Sequence, residues 1–243
     1  MIPIVFHRPM STVESANIPT VEYKLYRLDQ SPNSQAKCLR EHALNYFKNL
    51  YTIRRMETTA GNMYKEKIVR GFCHLYTGQE AIAVGIEAAI SKEDSIITSY
   101  RCHAFCYTRG NSVHSILAEL AGKSTGATQG KGGSMHIYGN NFYGGNGIVG
   151  AQIPLGTGIA FANKFLGKPN VCLALYGDGA ANQGQIFEAF NLSKIHNLPI
   201  IFICENNHYG MGTAAHRSSA NTAYYTRGDS VPGIWVSLII SLN

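Results

Sequence analysis

The stretch that decides the fold is VCLALYGDGAANQGQIFEAFNLSKIHNLPIIFICENN, residues 171–207. It contains two short, largely apolar runs, VCLALYG at 171–177 and PIIFICE at 199–205. Apolar residues recur at helical spacing in the segment 182–197 between them: Ile186, Phe187, Phe190 and Ile195. Two buried strands joined by an amphipathic helix form a βαβ unit. The sequence therefore predicts an α/β fold in which helices cover a parallel sheet.

Polar residues follow both predicted strands. The first strand ends in Gly177-Asp178-Gly179, and the second ends in Glu205-Asn206-Asn207. Ligands of open parallel sheets bind beyond the carboxyl ends of the strands, so we expect Asp178 and Asn207 to meet in one crevice. A carboxylate and an amide oxygen suit magnesium, and a helix beginning near Asn182 favours phosphate at the same place. The pattern predicts a site for a metal-bound pyrophosphate.

Two other phosphate-binding motifs fail on spacing. The dinucleotide-binding fingerprint requires G-x-G-x-x-G, but the glycine after Gly177 and Gly179 is Gly184, two positions too late. A Walker loop has four residues between its glycines and Ser or Thr after the lysine, whereas Gly126 to Gly130-Lys131 has three and is followed by Gly132. The sequence therefore supports neither NAD binding nor ATP hydrolysis.

Composition narrows the class of protein. The chain has 243 residues, of which 45% are hydrophobic and 15% charged, so disorder, coiled coil and collagen are excluded. The net charge of +6 is scattered, which argues against nucleic-acid binding. Six cysteines are too few for a disulfide scaffold and indicate reduced thiols inside a cell. No apolar run approaches the length of a membrane span.

The pattern predicts further elements on the N-terminal side of the βαβ unit. Helices are expected at 34–60, ending at Gly61, and at 78–90 and 112–120, with a strand at 94–100. Residues 122–158 contain twelve glycines, a density that no ordinary helix or strand tolerates. A flexible linker is one interpretation. The apolar residues within the segment favour a folded loop that wraps closely around a ligand.

The GDG, followed after about thirty residues by NN, is similar to the thiamin diphosphate signature. The chain as a whole, from about Tyr23 to Val236, resembles the alpha subunit of pyruvate dehydrogenase (acetyl-transferring). The motifs that carry the resemblance are GFCHLYTGQEA (71–81), ITSYRCH (97–103), GKGGSMHIY (130–138), NFYGGNGIVGAQ (141–152) and YGMGT (209–213). It implies a thiamin diphosphate-binding fold, with a parallel sheet and helices on both faces, incomplete at the C-terminus.

The resemblance also implies roles for single residues. The magnesium ligands would be Asp178, the Asn207 side chain and the main-chain carbonyl of Tyr209. The remaining cofactor contacts would be made by Tyr100, Arg101, Gly139, Gly147, Val149, Gly179 and Ala180. His74 takes the position that faces pyruvate, and Tyr100 and Arg101 complete the catalytic set. The other histidines, among them His103 and His136, are expected to be loop or surface groups.

The implied reaction is oxidative decarboxylation of pyruvate with acetyl transfer to a lipoyl group, dependent on thiamin diphosphate and magnesium. The resemblance places the glutamate that activates the cofactor on a separate beta subunit, in an α2β2 heterotetramer that serves a lipoyl-bearing acetyltransferase core. It implies a location in the mitochondrial matrix. Neither nucleic acid nor a membrane is expected as a partner.

Three segments are expected along the chain: a targeting segment and extended arm (1–32), the partial thiamin diphosphate-binding α/β domain (33–236), and a divergent tail (237–243). The tail, SLIISLN, matches nothing in the resemblance, whose pattern continues for a further third of its length. An alternative splice end, intron read-through and an error in gene annotation all stay open. The alternative function is therefore that of a truncated, non-catalytic isoform that only binds partners or is unstable.

Overall fold

The computed structural model describes residues 13–20 and 22–237. The strands are β1 (Ser15–Pro19), β2 (Tyr23–Tyr26), β3 (Gln35–Leu39), β4 (Ser95–Ile97), β5 (Cys172–Gly177), β6 (Ile200–Glu205), β7 (Tyr209–Gly210), β8 (Thr213–Ala214) and β9 (Gly233–Val236). The α-helices are α1 (Arg40–Lys65), α2 (Glu80–Ala89), α3 (His103–Thr108), α4 (Val113–Leu120), α5 (Gln152–Phe165), α6 (Gly184–Ile195) and α7 (Ala215–Ser218). Short 3₁₀ turns occupy Ala180–Asn182 and Tyr224–Thr226.

The centre of the fold is a parallel sheet in the order β4-β5-β6. Side chains of β5 alternate between two apolar layers. Leu173 and Leu175 pack with residues of α1, α2 and α3, whereas Ala174 and Tyr176 pack with residues of α5 and α6. Helices therefore cover both faces, and the predicted βαβ unit of β5, α6 and β6 is confirmed.

The predicted helix at 34–60 is displaced along the chain. Residues 35–39 form β3, and α1 continues through Gly61 to Lys65. The helix buries Ile53, Met56, Glu57 and Ala60 along one side. Gly61 therefore lies inside α1, where a Cβ placed on it would lie 3.4 Å from Cδ1 of Leu75. The helices expected at 78–90 and 112–120 and the strand expected at 94–100 are present with shorter bounds.

The predicted arm is extended, but it pairs with other parts of the chain. β1 pairs antiparallel with β3, and β2 pairs antiparallel with β9, from Tyr23 opposite Val236 to Tyr26 opposite Gly233. Both pairings join residues on opposite sides of the segment boundary predicted at residue 32. That boundary stays a prediction. The targeting segment up to residue 12 and the tail from 238 lie outside the described residues. No helix among the described residues is long and apolar enough to cross a membrane.

The glycine-rich segment is only partly a loop. Its last seven residues, 152–158, belong to α5, so the expectation that no helix tolerates this glycine density was wrong. The reason is packing, because Gly156 lies against the sheet. A Cβ placed there would lie 2.8 Å from Cβ of Ala174 and 3.1 Å from Cγ2 of Ile97. One helical glycine is therefore required by the closeness of α5 to β4 and β5.

Gly156 and Gly158 provide a matched test of this packing. Gly158 is exposed on the same helix, and no atom lies within 4 Å of a Cβ placed there. We expect Gly158→Ala to raise the free energy of unfolding by about 0.5–1 kcal/mol, because alanine loses less backbone entropy in a helix. Gly156→Ala should lower it by about 1–3 kcal/mol, because the added methyl group overpacks the helix–sheet contact. Urea denaturation measures both, and equal effects of the two variants would contradict the packing described.

Candidate functional site

A cavity of about 160 Å³ lies at the carboxyl ends of the three parallel strands. The segments after β4, β5 and β6 supply most of its lining, and the glycine-rich segment closes one side. The lining residues are Gln79, Ser99, Tyr100, Arg101, Asn146, Val149, Gly150, Gln152, Gly177, Asp178, Gly179, Ala180, Glu205, Asn207, Tyr209, Gly210 and Met211. The crevice predicted from the strand ends is therefore present.

Asp178 is the buried carboxylate of this cavity. It is 2% exposed, and none of the ion pairs in the described part of the chain includes it. Burial raises the pKa of Asp178, and the backbone around Asp178 and Asn207 partly opposes this shift. A buried carboxylate without a basic partner is costly. A bound cation would offset this cost, so the surroundings of Asp178 fit a metal ion.

Asn207 lies on the neighbouring strand end, because Gly177 of β5 is paired with Glu205 of β6. Its Nδ2 donates to Oε1 of Gln79 at 3.0 Å, and its Oδ1 accepts from the backbone amide of Tyr209 at 3.2 Å. His208 between them has a φ of 70°, a left-handed conformation that non-glycine residues seldom adopt. These contacts fix the Asn207 amide beside Asp178.

The described residues contain no cluster of three or more His, Cys, Asp or Glu side chains suited to a metal ion. The predicted magnesium site relies instead on one carboxylate, one amide oxygen and one backbone carbonyl. All three of these residues, Asp178, Asn207 and Tyr209, line the cavity. Hard oxygen ligands of mixed type, completed by water and phosphate oxygens, are usual for magnesium. The donor set therefore fits the ion.

The region expected to hold phosphate differs in detail from the prediction. The α-helix does not begin near Asn182, because residues 180–182 form a 3₁₀ turn and α6 begins at Gly184. The backbone that lines the cavity belongs to Gly179 and Ala180, at the start of that turn.

The apolar face of α6 is narrower than the sequence predicts. Of its four apolar residues expected to face the core, Ile186 and Phe190 are buried, whereas Phe187 and Ile195 are exposed.

Two more polar groups border the cavity. Arg101, which follows β4, donates from Nη1 to the carbonyl of Leu75 at 2.6 Å and lies over the ring of Tyr100. Gln152 is 1% exposed, and its Nε2 donates to the carbonyl of Leu175 at 3.0 Å. Its Oε1 has no hydrogen-bond partner among the described residues. An orphaned acceptor beside a cavity fits a ligand that carries a donor.

Eight of the ten residues predicted to bind the cofactor line the cavity, and Gly139 and Gly147 do not. Gly139 exchanges backbone hydrogen bonds with Phe142 at 3.0 and 3.2 Å. Gly147 lies against His136 and Met135. Both belong to the glycine-rich segment that also supplies Val149 to the cavity, and their cofactor contacts stay predictions.

The His74 ring packs against that of Tyr100, and His74 is not among the residues that line the cavity. Its ring centroid is 5.2 Å from that of Tyr100 and 4.7 Å from that of Phe72. Burial, together with the nearby Arg101 and His103, lowers the pKa of His74 to about 4. The ring is therefore neutral at physiological pH. His103, which we expected at the surface, is only 1% exposed.

Glu119 anchors the glycine-rich segment from α4, although nothing in its local sequence marked it. The carboxylate accepts backbone hydrogen bonds from Thr128, Gly130 and Gly132 at 2.7 to 2.8 Å. It is fully buried, and these hydrogen bonds lower its pKa against the opposing effect of burial. A single side chain thus fixes the path of the loop that leads to the cavity.

Glu205 is a cavity residue that the sequence pattern indicated only by its place at the end of β6. It is 5% exposed, and the hydroxyl of Tyr76 donates to its Oε1. Burial raises the pKa of Glu205 to about 7, although Tyr76 and Arg101 partly oppose the shift. The cavity therefore contains a second carboxyl group that is largely protonated below neutral pH.

Because Glu205 is buried, we expect the stability of the unmodified chain relative to Glu205→Gln to depend on pH. Unfolded, Glu205 ionises near its ordinary pKa of 4.5, whereas folded it stays protonated up to about pH 7. It therefore destabilises the fold progressively between these values, by up to about 3 kcal/mol. When metal and cofactor are absent, the free energy of unfolding of Glu205→Gln should increase relative to that of the unmodified chain as the pH rises from 5 to 8. Exposed Glu188→Gln is the control, and parallel pH profiles for Glu205→Gln and the unmodified chain would contradict the assignment.

The matching family model and the relatives described below agree on one protein family. The family model described as "Dehydrogenase E1 component" matches residues 48–237. The chain is 60% identical over 221 residues to the pyruvate dehydrogenase E1 component subunit alpha type I, mitochondrial, of Ascaris suum, covering 91% of this chain and 56% of that one. Its identity to the somatic human subunit is 58% over 224 residues, covering 91% and 57%.

The testis-specific mitochondrial subunit alpha of Rattus norvegicus is 57% identical over 231 residues, covering 94% of this chain and 59% of the rat chain. The chain thus spans somewhat more than half the length of the curated relatives that it matches. The family model covers most of the described residues, including every strand of the parallel sheet and both loops that carry Asp178 and Asn207. The chain belongs to the dehydrogenase E1 component family.

Proposed function

We propose that this chain is an alpha subunit that binds thiamin diphosphate and magnesium for the oxidative decarboxylation of pyruvate, with acetyl transfer to a lipoyl group. The observation that carries the proposal is the buried, unpaired carboxylate of Asp178 beside the oriented amide of Asn207, at the edge of a parallel sheet. The high identity to pyruvate dehydrogenase alpha subunits supports pyruvate as the substrate.

Magnesium would be held by Asp178, the Asn207 side chain and the Tyr209 carbonyl. The backbones of Gly179 and Ala180 would contact the pyrophosphate, and Tyr100 and Arg101 would bind from the end of β4. The planar guanidinium of Arg101 suits a phosphate oxygen. Gly139, Gly147 and Val149 would line the remainder of the cofactor site. Bound thiamin diphosphate would supply the nucleophilic carbon and electron sink that decarboxylation requires.

The residues of this chain would bind and polarise pyruvate. His74 is neutral at physiological pH, so it would act as a hydrogen-bond donor to an oxygen of the substrate without carrying a charge. Arg101 places a permanent positive charge near the same ring and attracts the substrate carboxylate. Tyr100 lines the cavity and contacts the His74 ring, so it would help to align the imidazole.

The open side of the cavity supports a site completed by a second subunit. Met211 and Tyr209 line the cavity but are 81% and 59% exposed. A beta subunit in an α2β2 heterotetramer would cover these side chains, exclude water and supply further catalytic groups, and the lipoyl-bearing acetyltransferase core would accept the acetyl group. The relatives are named as mitochondrial, which supports the mitochondrial matrix as the location.

Asp178→Ala tests the cofactor site directly. Without this carboxylate we expect thiamin diphosphate with magnesium to bind at least about tenfold more weakly, because the hardest ligand of the ion is lost. Calorimetric titration of the full chain measures the affinity. In the unmodified chain, cofactor at 100 times its dissociation constant should add about 2.7 kcal/mol to the free energy of unfolding.

The matched control is Asp29→Ala, which removes an exposed carboxylate far along the sequence from the cavity residues. It should bind like the unmodified chain, and a chelator should abolish binding in both. Unweakened binding by Asp178→Ala would show that the metal site lies elsewhere.

Co-expression with the beta subunit of a relative separates the enzyme from the non-catalytic alternative. We expect a purified assembly that binds thiamin diphosphate and releases carbon dioxide from pyruvate. An assembly that forms and binds cofactor without turnover would support the partner-binding alternative. A chain that binds neither the beta subunit nor the cofactor would refute the proposed function.

A further inference from the structure

A line of buried polar groups leads from the core of the protein to His74. It begins at Glu57 on α1, passes through His103 at the start of α3 and Ser134 in the glycine-rich segment, and ends at the His74 ring. The first three residues are 0%, 1% and 7% exposed. None of them lines the cofactor cavity. Polar groups this deeply buried persist only when their hydrogen bonds are satisfied, so their geometry constrains where the protons lie.

Both ring nitrogens of His103 face acceptors. Nδ1 lies 3.1 Å from each carboxylate oxygen of Glu57, and Nε2 lies 3.1 Å from the backbone carbonyl of Ser134. A backbone carbonyl oxygen can only accept, so Nε2 must carry a proton to avoid an unpaired contact. His103 is therefore assigned a protonated Nε2, and the contact between Nδ1 and Glu57 holds the ring in this orientation.

This assignment determines what the Ser134 hydroxyl can do. Its Oγ accepts from the backbone amide of His74 at 2.9 Å and lies 3.3 Å from Nε2 of His103. It also lies 3.1 Å from Nδ1 of His74. A hydroxyl group has one proton to donate. Because Nε2 of His103 already carries a proton, only Nδ1 of His74 can accept it.

We propose that Glu57, His103 and Ser134 are positioning residues that fix His74 as a neutral ring with its proton on Nε2. The proposal deepens the proposed function, since it specifies how His74 meets pyruvate: as a hydrogen-bond donor through the nitrogen that the buried groups leave unoccupied. None of the three touches the substrate. Fixing one tautomer matters because a histidine that faces substrate with the wrong nitrogen cannot donate.

The surroundings of His74 support this protonation state. The titratable groups that act on the ring are Arg101, next to Tyr100, and His103, and both disfavour a positive charge on it. Its other neighbours, Phe72 and Tyr100, contact it through their rings. No carboxylate among the described residues forms an ion pair with His74.

The test is the nitrogen NMR spectrum of the full chain labelled with ¹⁵N-histidine, recorded without cofactor at pH 8. We expect His103 to show a protonated Nε2, and His74 to show a protonated Nε2 and an unprotonated Nδ1. Exposed His114, on the same chain, provides the reference signal of a ring in contact with solvent. His74→Gln and His103→Gln assign the signals.

An unprotonated Nε2 of His103, or a His74 ring protonated on Nδ1, would overturn the proposal. Ser134→Ala should move the His74 Nδ1 resonance towards that of a nitrogen without a hydrogen bond, and Ser134→Thr should restore it, because threonine keeps the hydroxyl. An Nδ1 resonance that is the same in Ser134→Ala and in the unmodified chain would also overturn it. These measurements need no cofactor, so they stand whether or not the proposed function holds.

Turnover provides the second readout. In an assembly that decarboxylates pyruvate, Ser134→Ala should lower kcat about tenfold and Ser134→Thr should recover it. If His74→Gln abolishes turnover while Ser134→Ala leaves kcat unchanged, the positioning role is refuted, although the role of His74 stands.

Discussion

The parallel pairing of β5 with β6 is the constraint on which the site depends. Because Gly177 lies opposite Glu205, the residues that follow each strand emerge side by side at one edge of the sheet. Asp178 and Asn207 are separated by 28 intervening residues, yet both line the same cavity. A register shift of one residue would reverse the side-chain directions of β6 and separate the two groups.

Buried carboxylates hold the irregular parts of the structure in place. Glu119 binds three amides of the glycine-rich segment. Glu57 binds His103, whose Nε2 contacts the backbone carbonyl of Ser134 in that segment. Loops with little regular structure have few backbone hydrogen bonds of their own, so side chains from neighbouring helices must supply them. The glycine-rich segment is consequently folded without being a helix or a strand over most of its length. Its conformation is imposed from α1, α3 and α4.

The sequence alone predicted those features that depend on the periodicity of apolar residues or on the positions of strand ends. The βαβ unit, the crevice and the positions of Asp178 and Asn207 follow from apolar runs and from the rule that ligands bind beyond the carboxyl ends of parallel strands. Glu57, Glu119 and His103 could not be found in this way. Each is a charged or polar residue inside a helix, where sequence periodicity favours an exposed position, and only tertiary contacts show that each is buried and paired. The start of α1 was also missed, because Leu39 belongs to the apolar spacing but pairs with β1.

Paramagnetic broadening by Mn²⁺ tests the central claim most directly, because Mn²⁺ accepts the same oxygen ligands as magnesium. The amide spectrum of the full chain would be recorded with thiamin diphosphate while Mn²⁺ is added. The account predicts that the amides of Gly179, Ala180, Asn207 and Tyr209 lose intensity first, with Glu188 and other exposed residues unaffected at the same concentration. Broadening that begins elsewhere, or that is equal at exposed carboxylates, would contradict a metal site between β5 and β6.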